Sequence, residues 1–374
     1  MKRLFTVLTS IALTFALSFS AAFASDDAFL KSQNYLKTIA LDSPDAVIAY
    51  EATGMEADNK ADALLNNFKE TDYTTASYGD LAKSIIAISL LGENPKDFNK
   101  TNLVEILENR VQEDGTLTND VNGGCGATIW TLMALETVNS PKVKAVADKL
   151  STMAMDNGAY WYEYQGQNAD LDTTGWAMEA LSVAGRSTYD AAISKAYTFV
   201  QSKLNSTYGY YDNWGGNADT QSCVLEGLSA AGYTLDTNAY NYLLSYQNED
   251  GTFNALNYST NQLEPNAYAS VEGARALGVI NNGSFVLNAR RDYTETTTPV
   301  VTEPEKPTTP STPTTPTKPS TTTPAVKPET TTTEPKKETV KVVNTGDNTN
   351  VMAYVVAAIA AVGVIVLVIK SKKK

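Results

Sequence analysis

Between residues 25 and 293 the apolar side chains recur three and four positions apart, in stretches broken by Gly, Asn and Asp, and no stretch of period-two alternation competes with them. Two kinds of stretch take turns along the chain. Segments 142–152 and 189–203 keep their apolar residues on one face and their charges elsewhere, which predicts outer, amphipathic helices. Segments 172–185 and 219–232 are small and apolar on nearly every side and stop at glycine, which predicts buried helices.

The buried stretches are copies of one another. Asp172-Thr173 and Asp219-Thr220 open two of them, Glu179 and Glu226, Leu181-Ser182 and Leu228-Ser229, and Ala184-Gly185 and Ala231-Gly232 follow at fixed offsets, and looser copies occupy 45–54, 78–92, 127–138 and 266–278. Their terminal glycines at 54, 92, 185, 232 and 278 give a repeat of about 46 residues occurring six times. Six buried helices, each with an amphipathic partner, predict an all-α fold, an (α/α)6 toroid with an inner ring inside an outer one. Asp172 and Asp219 read as the N-caps of their helices. Within each pair the turns 112–117, 156–159 and 247–253 place glycine after Asp or Asn, as a tight connector requires.

Both ends of the chain read as targeting and anchoring segments. Residues 1–24 carry Lys2 and Arg3, an apolar run and Ala22-Phe23-Ala24, the pattern of a cleaved signal peptide, so the mature chain is expected to start at Ser25. Residues 294–340 collapse to Thr, Pro, Lys and Glu, a composition too poor in apolar side chains to offset ordering, and read as an extended stalk. In 341–374, the 19 uncharged residues 351–369 are long enough to cross a bilayer, and Lys370, Lys372, Lys373 and Lys374 behind them are expected to stay cytoplasmic. The expected location is therefore the outer face of the cell membrane or the cell wall, on a single C-terminal anchor.

Composition sharpens this picture. The chain has 374 residues, a formal charge of -13 and no histidine. Residues 25–293 hold 35 acidic against 17 basic side chains, so the domain itself is at -18 and the rest of the chain is basic. That acidity argues against nucleic acid as a partner. The missing imidazole removes Ser-His-Asp and Cys-His catalysis and histidine-ligated metal. Cys125 and Cys223 fall near the starts of inner helices three and five, which are not ring neighbours, so two unpaired buried thiols are expected.

Three resemblances refine the expectations. Val343-Asn344-Thr345-Gly346 ahead of an apolar span and a basic tail resembles the sortase sorting signal of Gram-positive surface proteins, in which the bond after the threonine, here Thr345, is cut and the chain joined to the wall. Val343 stands where that motif has proline, which leaves permanent membrane anchoring as the alternative. The Gln247-Asn248-Glu249-Asp250-Gly251-Thr252-Phe253 turn with its Asp-Thr inner helix resembles the prenyltransferase and squalene-cyclase repeat, over roughly 28–280. The stretch 80–135, with Gly92-Glu93-Asn94-Pro95-Lys96-Asp97, looks most like secreted bacterial transcobalamin-like chains. That likeness implies a corrinoid ligand, but the second small β domain that completes a corrinoid site in the family does not follow Ala289. No cofactor is otherwise implied.

Candidate chemistry follows from these likenesses. Asp170-Leu171-Asp172-Thr173-Thr174 is similar to the Asp-x-Asp-Asp-Thr run of class II terpene cyclases, whose middle acid protonates an alkene, with Thr173 replacing the third carboxylate. A carboxyl must be held neutral to do this, and with one carboxylate and every histidine missing the sequence leans away from an enzyme. A non-catalytic binder fits the residues better. Trp161, Tyr162 and Tyr164 before inner helix four, and Tyr211 and Trp214 before inner helix five, are expected to gather with Asp170, Asp172 and Asp219 at one mouth and hold a ring-shaped or apolar small molecule, such as a corrinoid, a sugar or a polycyclic lipid. The alternatives are a cyclase-like enzyme using Asp172, with Asp170, as general acid, and a structural or adhesion surface protein.

Overall fold

In the computed structural model the described residues are 26–293, except 121–123, 164, 212–216 and 258. The signal segment, the stalk, Thr345 and Gly346, and the span at 351–369 lie outside them, as do Tyr164 and Trp214. No helix among the described residues is long and apolar enough to cross a membrane.

Outer and inner helices alternate along the chain. The outer set is α1 (Asp26–Thr38), α3 (Asp62–Glu70), α5 (Leu103–Glu108), α7 (Val143–Ser151), α9 (Asp190–Ser202) and α11 (Thr237–Leu244). The inner set is α2 (Pro44–Ala52), α4 (Tyr78–Leu90), α6 (Cys125–Thr137), α8 (Leu171–Gly185), α10 (Ala218–Ala230) and α12 (Ala267–Asn282). Each inner helix packs on the next, α2 on α4, α4 on α6, α6 on α8, α8 on α10 and α10 on α12, and α12 returns to α2. The ring is closed, and the domain is an α/α toroid.

Why the pattern yields a ring can be read from the turns. Gly115, Gly158 and Gly251 adopt φ of +83°, +90° and +85°, a region that L side chains avoid. A Cβ at these positions would stand 2.0 Å from Ala145 O on α7, 2.3 Å from Lys195 O on α9 and 2.1 Å from Lys31 O on α1. Each turn therefore lies against the outer helix of the following repeat, and the last one meets the first. Two residues further on, Leu117, Tyr160 and Phe253 are buried. The amide of Tyr160 donates to Thr174 Oγ1 at 2.9 Å and that of Phe253 to Ser270 Oγ at 2.7 Å, each acceptor four residues into the inner helix after its N-cap. The fifth repeat has Tyr208 at the glycine position, at φ 65°, and Tyr210 N bonds to Gln221 Oε1 in the same way.

The structure departs from the sequence reading in three places. Two short antiparallel hairpins occur, β1 (Trp161–Glu163) with β2 (Gln167–Ala169) and β3 (Phe253–Asn257) with β4 (Gln262–Asn266). They are too short for a period of two to show, and they end on the N-caps of α8 and α12. The last inner helix runs through Gly278 and stops at Gly283, φ 82°, while Gly278 instead gives close contact with the backbone of Ala52 and Thr53. In the third repeat Asn139, φ 52°, follows the helix where glycine serves elsewhere.

Beyond α12 a short helix, α13 (Phe285–Ala289), packs against α2, α4 and α6. It lies across the C-terminal ends of the inner helices. The N-terminal ends, with both hairpins, form the opposite mouth.

Candidate functional site

The inner helices start in register, so equal offsets from their N-caps form layers around the axis. The N-caps are Ser43, Ser77, Gly124, Asp170, Asn217 and Asn266. Asp170 Oδ2 accepts from Thr173 N at 2.7 Å and Asn217 Oδ1 from Thr220 N at 2.8 Å. Asp172 and Asp219 are thus not the caps the sequence suggests. They stand two residues inside their helices, and their carboxylates are free of capping duty.

Offsets of two, six and nine residues from the caps define three axial layers. The mouth layer is Asp45, Gly79, Gly126, Asp172, Asp219 and Tyr268. The middle layer is Ala49, Lys83, Trp130, Trp176, Cys223 and Glu272, and the lower layer Ala52, Ile86, Met133, Glu179, Glu226 and Arg275. Contacts across the axis bear this out. Lys83 Nζ lies 2.9 Å from Asp45 Oδ1 and 4.6 Å from the Trp130 ring centre. Trp130 and Trp176 meet at 5.7 Å, and the Arg275 guanidinium lies 6.0 Å from the Trp176 ring. Cys223 Sγ donates to Glu272 Oε2 at 3.8 Å.

The lower layer seals the axis. Arg275 Nε donates to both carboxylate oxygens of Glu226, at 3.0 and 2.9 Å, and its Nη2 lies 3.6 Å from Glu272 Oε1. Ser284, just before α13, donates its hydroxyl to Glu179 Oε1 at 2.5 Å, and Phe285 stacks on Trp130. What remains open is a cup at the mouth, with Asp45, Asp172 and Asp219 half-buried, Tyr268 exposed, and Lys83 and Trp176 half-buried on its floor.

The electrostatics of the cup are lopsided. On one side burial would push Asp45 up, but the Lys83 ammonium outweighs it and holds the carboxyl below its usual range. On the other side no cation balances Asp172. Burial, and then the charges of Asp170, Glu272 and Asp219, raise it well above an ordinary aspartate. Burial lifts Asp219 to about 6 against the pull of Arg275, and burial lifts Glu272 to about 8 against the same guanidinium. Asp172 therefore holds its proton well past the ordinary aspartate range, beside Asp219. Oδ1 of Asp172, Oδ1 of Asp219 and Nε1 of Trp176 are shielded from solvent and have no hydrogen-bond partner.

Comparison with known proteins gives distant likenesses. No protein-family model matches the chain, and no curated protein does. Among solved structures, a protein from Actinoplanes is similar over 70% of this chain and 90% of its own, with a TM-score of 0.45 and 12% identity. An unsaturated glucuronyl hydrolase from Bacillus sp. GL1, responsible for the degradation of glycosaminoglycan, is similar over 69% of this chain and 96% of its own, with the same TM-score and identity. Likeness at this level concerns the course of the helices and not their chemistry.

One similar structure is a hydrolase, which is a property of that protein. The sequence's lean away from an enzyme is corrected on the geometry of this chain's own cup. Burial and Asp170 raise Asp172 first, and the further carboxyl groups come from other helices, Glu272 from α12 and Asp219 from α10, which raise it more without imidazole.

The aromatic mouth is redrawn as well. Trp161 is buried at 8% exposure, and its Nε1 donates to Met153 O at 3.1 Å. It lines a separate cleft of about 470 Å³, with Leu117, Thr128, Met153 and Gln167, that includes none of the axial residues. Tyr162 is exposed on β1, and Tyr211 is held by Tyr242, their hydroxyls 2.5 Å apart. The rings that share the axial layers with the acids are Trp176, Trp130 and Tyr268, which sequence reasoning missed because they sit inside helix repeats. The signal was present in the shared offset of Glu179, Glu226 and Arg275, which marks an axial stripe. Cys125 and Cys223 are both free and buried, on helices separated by α8.

Proposed function

We propose that the toroid is an acid-base enzyme acting on a saccharide ring seated in the cup, with Asp172 as general acid and Asp219 as its ionised partner. The observation that carries this reading is Asp172 itself, a half-buried carboxyl at the mouth with a solvent-shielded oxygen that accepts no hydrogen bond, beside the carboxyl groups of Asp170, Glu272 and Asp219, which with burial raise it well above its ordinary range. Unpaired buried oxygens beside an unpaired indole N–H call for a ligand that both donates and accepts, as sugar hydroxyls do. The Trp176 and Tyr268 faces supply the apolar platform for a ring. A polyene substrate, the cyclase alternative, would need a deep apolar channel, and the Glu226–Arg275 pair, Glu179 and the Phe285 plug fill the axis instead.

In this reading Asp172 gives its proton to the glycosidic oxygen as the bond from that oxygen to the sugar carbon breaks. Water adds to the carbon, and Asp219 takes the water proton. The rate should rise as Asp219 ionises through about pH 6 and fall again as the raised Asp172 carboxyl loses its proton. The chain is further proposed to work outside the cell, on the stalk of 294–340, held by a span at 351–369 or by a wall linkage through Thr345. The test is a panel of oligosaccharides offered to the full chain and to Asp172→Asn. Turnover of at least one glycan that drops by about 10²–10⁴ in the variant supports the proposal. Turnover unchanged in the variant removes Asp172 from the reaction.

A further inference from the structure

The cup contains its own precedent for what its acidic side should hold. In the half formed by α2, α4 and α6, a carboxylate of the mouth layer, Asp45, faces a Trp130 ring of the middle layer, and an ammonium, Lys83 Nζ, sits between them at 2.9 Å from the one and 4.6 Å from the other. The half formed by α8, α10 and α12 repeats the plan with more charge. Asp172 and Asp219 occupy the mouth layer, Glu272 and the Trp176 ring the middle one, and Asp170 adds a further carboxylate at the cap of α8. Its one cation, Arg275, stems from a layer lower, is committed to Glu226 through two hydrogen bonds, and reaches up to Glu272 Oε1 at 3.6 Å and to the Trp176 ring at 6.0 Å, which leaves the oxygens of Asp172 and Asp219 above it. No described side chain brings an ammonium to the level of Asp172 and Asp219. Yet Oδ1 of each is shielded from solvent and accepts no hydrogen bond, and Trp176 offers the same kind of ring that Lys83 covers on the other side. Such a surface recognises a cation by charge and by the negative face of the indole together.

We infer that the substrate of this site is a cationic saccharide, one carrying a free amino group, whose ammonium enters between Asp219, Glu272 and the Trp176 face. This rests on the saccharide reading above and narrows it. An ammonium there plays the part that Lys83 plays for Asp45, and it lets the carboxylates around Asp172 stay ionised without stacking like charge on like. An N-acetylated or neutral sugar of the same size has no charge to offer to the Oδ1 atoms of Asp172 and Asp219. Polyanionic glycans are disfavoured by the same three carboxylates and by the -18 charge of residues 25–293.

The experiment is calorimetric titration of the full chain, at about pH 6.5, where an amino sugar is charged, with a glucosamine tetramer, an N-acetylglucosamine tetramer and a cellotetraose. The glucosamine tetramer should bind at least tenfold more tightly than the other two. Its heat should vary with the ionisation enthalpy of the buffer, since binding releases a proton from the cluster. In Asp219→Asn and Glu272→Gln the preference should shrink to under threefold while the melting temperature holds or rises, because each variant removes buried like charge. Equal binding of all three sugars overturns the cationic preference and leaves the saccharide reading standing. Binding of none of them, with turnover of none, overturns both. A preference that survives in Asp219→Asn and Glu272→Gln but vanishes in moderate salt assigns it to the general acidity of the domain and overturns the site.

Discussion

Asp172 and Asp170 show how much a two-residue offset matters. Both belong to one acidic run, yet Asp170 faces the helix start and ties down Thr173, whereas Asp172 faces the axis and meets carboxylates from α10 and α12. Spacing alone could not separate the cap from the acid, because either residue precedes a suitable first turn. Asp172→Asn keeps the shape and removes the proton, so it should abolish turnover while raising the melting temperature at pH 8, where the native acid is under most electrostatic pressure. Trp161 gives the opposite lesson. Its ring is packed and its N–H bonded to Met153 O, so Trp161→Ala is expected to cost about 3–5 kcal/mol of stability, read as a loss of denaturation midpoint, and not to act through ligand contact.

At the scale of helices and turns, most of the architecture is legible in the sequence. Helix pairs, their number and the closed ring follow from period, glycine stops and Asp-Gly turns, because those features come from backbone geometry that each repeat must satisfy locally. The hairpins escape notice, since three or five residues carry too little alternation, and so does the true end of α12, where Gly278 serves packing and Gly283 the turn. The turn glycines should be the most sensitive positions in the ring. Gly251→Ala meets both a positive φ and Lys31 O, so it should destabilise by more than the ~1 kcal/mol of an ordinary helix substitution and loosen closure between α12 and α1, which hydrogen exchange on 26–38 would report. Gly92→Ala has an equally positive φ but open space around it and should cost less.

The cup is less legible than the ring because it exists only once the ring closes. Its carboxylates come from α8, α10 and α12, about 47 residues apart in sequence and adjacent in space, so no local motif announces them. Their grouping also sets how the whole molecule responds to pH. Glu272 and Asp219 have native values of about 8 and about 6, above the 4.5 and 3.8 of the ordinary groups. A raised carboxyl contributes stability that is fully present below the ordinary value and lost as pH rises through the native one. The domain should therefore melt highest in mild acid and lose stability steadily between about pH 5 and pH 8, with Glu272→Gln flattening the upper part of that decline. An increase of melting temperature from pH 5 to pH 8 would contradict the assignment.

The central claim is that burial and the neighbouring carboxyl groups hold the Asp172 proton to well above the ordinary aspartate range. Infrared difference spectroscopy of the full chain against Asp172→Asn at pH 7 reads that proton directly, through the carbonyl stretch of a protonated carboxylic acid. The account predicts a protonated carboxyl band in the native protein that is reduced in the variant, the remainder belonging to Glu272, and that persists above the ordinary aspartate range. A native spectrum at pH 7 without that band, with the variant removing only carboxylate intensity, would contradict it.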